Sequence, residues 1–304
     1  MPSPPSRLSS AALVLALLGQ FAPATVRAAG EYPPRIDGAR VETYKTVGDT
    51  KLRLWILAPE QAAGARRPAI VFFFGGGWRA GSPQQFEPQC RHLAARGIVA
   101  ITADYRVASR HGVKPVDCVG DARSAIRWVR ANADRLGIDP DRIAAAGGSA
   151  GGHLAGSTAF LEEFDEPGED QAVSAAPNAL VLFNPALVLA PLPGLDLAGF
   201  GTRVPAERLG AAPEKLSPAH HVKPGGPPTI IFHGSADETV PLATAEAFAA
   251  AMKKAGIRCE LVVAEGQAHG FFNREPWRSK TLADADAFLE SLGWIEADAP
   301  APAR

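Results

Sequence analysis

Downstream of Pro68, short unbroken apolar runs alternate with longer stretches in which apolar positions recur at helical spacing. The runs at 69–74, 98–103, 142–147, 179–184, 228–233 and 259–264 read as strands, and Ile70-Val71-Phe72-Phe73-Phe74 is continuous enough to be buried on both faces. Helices are expected near 84–96 and at 116–136, 152–161, 242–255 and 278–291. Alternation at this spacing implies an α/β architecture, a mostly parallel sheet of about eight strands wrapped by helices on both faces. Segments 41–46 and 51–58, joined by Val47-Gly48-Asp49-Thr50, read as an antiparallel hairpin on the sheet edge. Only 185–227 breaks the rhythm. It is rich in proline and glycine, with one helical stretch spanning at most Val204 to Gly210.

The points where these strands end carry the candidate chemistry. Arg142-Ile143-Ala144-Ala145-Ala146 runs into Gly147-Gly148-Ser149-Ala150-Gly151-Gly152, and a helix follows from His153. A serine in G-x-S-x-G between strand and helix sits on a sharp turn that pushes its hydroxyl clear of the sheet. Glycines flank it because side chains there would clash. The same residues alone also suit a plain glycine-rich connection, so a nucleophile needs partners: a histidine base and a carboxylate to orient it. Pro228-Thr229-Ile230-Ile231-Phe232 leads to Asp237, and Cys259-Glu260-Leu261-Val262-Val263 leads to His269. Both therefore lie beyond the carboxyl ends of parallel strands, on the edge where Ser149 opens. The strand ending at Phe74 likewise runs into Gly75-Gly76-Gly77-Trp78, whose glycines let backbone N–H groups approach a substrate oxygen closely.

Taken together, GGGW at 75–78, Asp104-Tyr105-Arg106, GGSAGG at 147–152, HGSADETVP at 233–241 and AHGFF at 268–272 support a family reading. From about Val41 to Trp294 the chain resembles an α/β-hydrolase of the esterase/lipase group, which includes hormone-sensitive-lipase-like enzymes and bacterial feruloyl and acetylxylan esterases. The resemblance implies the α/β-hydrolase fold, with 185–227 as a small cap after strand 6, although the prolines of that segment suit a structural wrap-around equally. It implies a catalytic triad of Ser149, Asp237 and His269, and an oxyanion hole built from the amides of Gly76, Gly77 and Ala150. It implies no cofactor and no metal. One position departs from the group: its loop usually begins with a bracing histidine, and here that residue is Phe74. Phenylalanine can only pack, so the loop is expected to rest on Phe74 beneath and on Trp78 at its far end.

Composition narrows the class. A length of 304 residues with 46% apolar content suffices for one large domain over 29–296. The net charge of −1, from 31 basic and 32 acidic residues spread evenly, leaves no basic stripe for nucleic acid. A small-molecule or polysaccharide ester is the expected partner. Near the start, Arg7, the apolar run Ala11 to Leu18 and Val26-Arg27-Ala28 read as a secretion signal over 1–28, cleaved after Ala28. That run is far short of the ~20 residues that span a bilayer, so no stable membrane insertion is expected. No cysteine precedes Cys90, which removes the lipoprotein option and leaves a periplasmic or extracellular location. The alanine- and proline-rich 297–304 reads as a disordered tail.

Other residues receive structural readings. Cys90 and Cys118, both near helix starts on the active-site edge, can pair in an oxidising compartment or stay free, and Cys259 reads as an inert buried thiol. The adjacent His220 and His221 point to opposite sides and suit a metal poorly. His153, His233, Asp121 and Trp128 are expected to serve the fold, and Asp165, Glu166, Glu169 and Asp170 to form a solvated acidic loop.

The favoured activity is a secreted serine ester hydrolase working through an acyl-enzyme. Its substrates are expected to be short-chain acyl esters or acetyl and feruloyl esters of plant polysaccharide. An amidase or peptidase of the same fold, kynurenine formamidase-like or prolyl-oligopeptidase-like, would use the same triad, although Ala150 stands where such peptidases usually carry an aromatic. A non-catalytic module on this scaffold is disfavoured, because such proteins normally lose a triad member and all three are present here.

Overall fold

The computed structural model describes residues 32–59, 66–195 and 206–296; the expected secretion signal and tail lie outside them. Long apolar runs form the centre of one eight-stranded sheet. Its strands are β1 (Arg40–Val47), β2 (Thr50–Leu57), β3 (Arg67–Phe73), β4 (Val99–Ala103), β5 (Ile138–Gly148), β6 (Ala179–Phe183), β7 (Thr229–Gly234) and β8 (Cys259–Ala264). They lie in the order β1-β2-β4-β3-β5-β6-β7-β8. The β1–β2 and β2–β4 pairs are antiparallel and every other pair is parallel. Val47 pairs with Thr50, so the expected hairpin closes through Gly48 and Asp49 alone.

Each central strand feeds two cores, as the two-residue side-chain period requires. In β3, Val71 and Phe73 face a larger cluster, whereas Ile70 and Phe72 face a second one. The helices cover both faces: α1 (Glu87–Ala95), α2 (Ala108–His111), α3 (Pro115–Ala131), α4 (Ala133–Leu136), α5 (Ala150–Phe160), α6 (Ala206–Leu209), α7 (Leu242–Lys254) and α8 (Trp277–Ser291). The single helix expected over 116–136 is split at Asn132, which leaves helical geometry and ends α3. Within 185–227, the described residues favour the structural wrap-around. Of these, 186–189 are buried in the larger core along with Leu216 and Ala219, so this part wraps the body, while Arg208 of α6 reaches the loop after β3.

The reading of the acidic loop is corrected, and the open choice for Cys90 and Cys118 is decided. The acidic loop is not simply solvated. Asp165 Oδ1 accepts from Arg123 Nε and Arg127 Nη2, both at 2.7 Å, while Glu169 pairs with Arg127 and Glu166 with Lys45. Those cationic side chains are almost fully buried, so the loop supplies the counter-charges they require. Cys90 and Cys118 are both free and buried in opposite cores, separated by the sheet, so neither can reach the other. Cys259 is only half-buried, and that burial pushes its thiol up to about 12.

Candidate active site

The sheet delivers three side chains to one point. β5 ends at Gly148, and Ser149 follows in the left-handed region at φ 56°, held there by its N–H to Phe183 O at 2.9 Å. So tight a turn needs glycine at Gly151, where a Cβ would stand 2.0 Å from the Phe73 carbonyl oxygen. Asp237 lies beyond β7 and His269 beyond β8. Ser149 Oγ is 2.9 Å from His269 Nε2, and His269 Nδ1 is 2.7 Å from Asp237 Oδ2. The Asp237 side chain is wholly buried, and its Oδ1 accepts from the amides of Thr239 and Val240, both at 2.9 Å. A carboxylate so fixed selects the Nδ1–H tautomer and leaves Nε2 free to accept the serine proton.

Beside the serine, the loop after β3 turns through Gly76 (φ 129°), Gly77 (φ 60°) and Trp78 (φ 58°). At Gly76 a Cβ would lie 2.1 Å from Ala80 O, so no other residue fits. Among the described residues the amides of Gly76, Gly77 and Ala150 have no intrachain acceptor, as donors for a reacting oxygen must be. Phe74, fully buried, stacks on Tyr105 at 4.1 Å, and Tyr105 Oη donates to Phe74 O at 2.7 Å. Arg110 Nη1 holds Gly81 O at 2.9 Å, and Arg208 on α6 reaches from the cap to Gly77 O at 2.7 Å. The loop is thus held by an aromatic stack and by donors to its carbonyls.

Of the remaining histidines, His92 pairs with Asp286, His111 accepts from the Val107 amide, and the other four bond to backbone carbonyls. His233 Nε2 meets Val240 O at 2.8 Å, and burial holds its pKa below the usual value. His220 and His221 meet Pro191 O and Glu214 O. His153 is fully buried, edge-on to Trp78 at 5.1 Å, with Nε2 2.7 Å from Leu216 O. It thereby ties the nucleophile helix to the oxyanion loop and to the cap. Burial lowers its pKa to about 4, so the unfolded chain binds a proton that the folded one refuses between that value and about 6.5. Its contribution is complete above that window and lost as pH falls through it. The protein is expected to lose about 2–3 kcal/mol more stability than His153→Phe between pH 7 and 4.5, read from urea unfolding.

Sequence reasoning did not single out four polar residues around the triad. Gln85, Asn184, Arg208 and Asn273 each hold backbone of a loop that carries a candidate site residue. Asn184 had a visible signal in its place directly beyond β6, on the edge where the loops gather. Asn273 directly follows the AHGFF motif, whereas Gln85 and Arg208 sit in stretches with no motif.

A family model described as alpha/beta hydrolase fold matches residues 70–273. The chain belongs to that family. The alpha/beta hydrolases it is similar to include esterase LipC of Mycobacterium tuberculosis, 34% identical over 236 residues, which are 73% of this chain and 57% of LipC. A probable isoprenylcysteine alpha-carbonyl methylesterase of Arabidopsis thaliana is 28% identical over 74% of this chain and 50% of its own length. The chain spans about half the length of these curated relatives. Among solved alpha/beta hydrolases, Thermogutta terrifontis esterase 2 phosphorylated by paraoxon is 51% identical with a TM-score of 0.81, over 88% of this chain and 99% of that one. The same esterase has been solved with propionate bound, at 52% identity and a TM-score of 0.82 over 88% and 100% of the two chains.

Proposed function

We propose that the protein is a secreted serine carboxylesterase that hydrolyses short-chain acyl esters through an acyl-enzyme at Ser149. The observation that carries this reading is the unbroken relay Ser149 Oγ–His269 Nε2 and His269 Nδ1–Asp237 Oδ2, at 2.9 and 2.7 Å. As Ser149 Oγ attacks the ester carbonyl, its proton passes to His269 Nε2, and Asp237 stabilises the imidazolium. The carbonyl oxygen becomes an anion facing the amides of Gly76, Gly77 and Ala150, each such donor contributing roughly 3 kcal/mol to the barrier reduction. His269 returns the proton to the departing alkoxide, then takes one from the water that attacks the acyl-enzyme and passes it to Ser149 Oγ as the acid leaves. Propionate bound to the related esterase supports a short acyl group. Acetyl or feruloyl groups on plant polysaccharide fit the same reading, as does export directed by residues 1–28.

Two measurements test it. Paraoxon is expected to add one diethylphosphoryl group, located on Ser149 by mass spectrometry of the digest. Initial rates on p-nitrophenyl acetate, butyrate and octanoate, acetylated xylan and methyl ferulate are expected to favour the short acyl esters over peptide and formamide controls. Faster turnover of a formamide or peptide, or phosphorylation at another residue, would overturn the reading.

A further inference from the structure

A glycine loop has no side chains with which to hold itself, so the position of its amides is set from outside. Here the peptide joining Phe74 to Gly75 is gripped at both ends. Tyr105 Oη donates to Phe74 O at 2.7 Å, and Gly75 N–H donates to Gln85 Oε1 at 2.6 Å. Gln85 in turn donates from Nε2 to Asn273 Oδ1 at 3.3 Å, and Asn273 donates from Nδ2 to Gly270 O at 3.0 Å. Gly270 is the residue after His269, and its own N–H donates to Asn184 Oδ1 at 2.9 Å. An unbroken chain of amides therefore runs from the oxyanion loop to the histidine loop.

The direction of every amide in it follows from the backbone ends. Gly75 N–H can only donate and Gly270 O can only accept, so Gln85 must present Oε1 to one and Nε2 to the other, and Asn273 is oriented the same way. The bridge also rests on a rigid base. Gln85 precedes Phe86 and Asn273 follows Phe272, and these rings stack at 5.8 Å with planes 11° apart, beneath Gly148.

We propose that Gln85 and Asn273 form a positioning bridge that fixes the Gly76 and Gly77 amides relative to His269. The pair touches no substrate. It acts by keeping oxyanion donors and proton acceptor in register while charge moves between them, so its loss should slow the chemical step and spare binding. This rests on the esterase reading for its substrate, but the reaction of Ser149 with a fluorophosphonate passes through the same loop and needs no known ester.

The test is the saturation kinetics of fluorophosphonate labelling for the unaltered protein, Gln85→Leu, Asn273→Leu and the double variant. Each single variant is expected to lower the maximal rate about ten-fold or more, with the half-saturating concentration within about two-fold and Tm little changed. The double variant is expected to be no slower than the slower single, because both residues act along one route. Should leucine at 85 unfold the protein, Gln85→Met keeps side-chain length and apolar contact while removing both hydrogen bonds. Folded variants that label within two-fold of the unaltered protein overturn the bridge, as does a double variant whose loss is the product of the singles. If the unaltered protein is labelled but its Gln85 variants are not slowed, only the bridge fails. If it is not labelled at all, the esterase reading fails and takes the bridge with it.

Discussion

Ser149→Ala is expected to lower the rate of ester hydrolysis by about a million-fold while the protein stays folded. The magnitude follows from the relay. In the proposed reaction His269 and Asp237 move a proton from Ser149 Oγ, so removing the oxygen idles all three together, and adding Asp237→Ala or His269→Ala should cost little more. What remains, roughly a thousand-fold over water, is binding and oxyanion stabilisation. Stability should stay level, since alanine keeps the Cβ and the same positive-φ turn at φ 56°, and only the hydroxyl contact with His269 is lost. Pre-steady-state mixing with p-nitrophenyl acetate checks the first half, through a burst of nitrophenol in the unaltered protein and none in the variant, and urea unfolding checks the second. A variant retaining more than a thousandth of the rate would place the nucleophile elsewhere.

The second large effect falls on a residue that performs no chemistry. Phe74→Ala is expected to cost about 3–5 kcal/mol of stability, because the ring is fully buried. It lies against Tyr105 on one side, and on the other Gly81 comes so close that a Cβ there would stand 2.4 Å from Phe74 Cδ2. Removing the ring also frees Tyr105, whose hydroxyl holds the carbonyl at the entrance to the oxyanion loop. Turnover per folded molecule should therefore fall as well. Phe74→His keeps a flat ring against Tyr105 and should lose less on both counts. Urea unfolding and initial rates normalised to folded fraction separate the two losses. A histidine variant less active than alanine at equal folded fraction would contradict this account of the loop.

The parts of the molecule legible in its sequence are those fixed by local pattern. Continuous apolar runs marked the buried strands, and loops at the ends of β3, β5, β7 and β8 carried Gly76, Gly77, Ser149, Ala150, Asp237 and His269 to one edge. What stayed illegible depends on partners distant in the chain. Gln85 and Asn273 stand 188 residues apart, and neither neighbourhood repeats or alternates in a way that announces the other. The acidic loop read as solvated because the burial of Arg123, Arg127 and Lys45 is a property of packing, not of their own residue types. Cys90 and Cys118 shared an expected edge, but only the fold shows them on opposite faces of the sheet. The split at Asn132 went unseen since its flanking residues keep helical spacing.

The strand order has a kinetic consequence. Ser149 leaves the sheet at β5, whereas Asp237 and His269 leave it at β7 and β8, which add in succession at the far margin. Parallel neighbours pair only after the chain between them is ordered, 74 residues from Ala69 to Ile143 for β3–β5 and 30 from Thr229 to Cys259 for β7–β8, so the site assembles only when both halves of the sheet are in place. A refolding intermediate with β3, β4 and β5 in place would show helix and strand by circular dichroism, yet possess a serine with no base. Catalysis would then return only when the last strand docks, making enzyme activity a late reporter of completed folding.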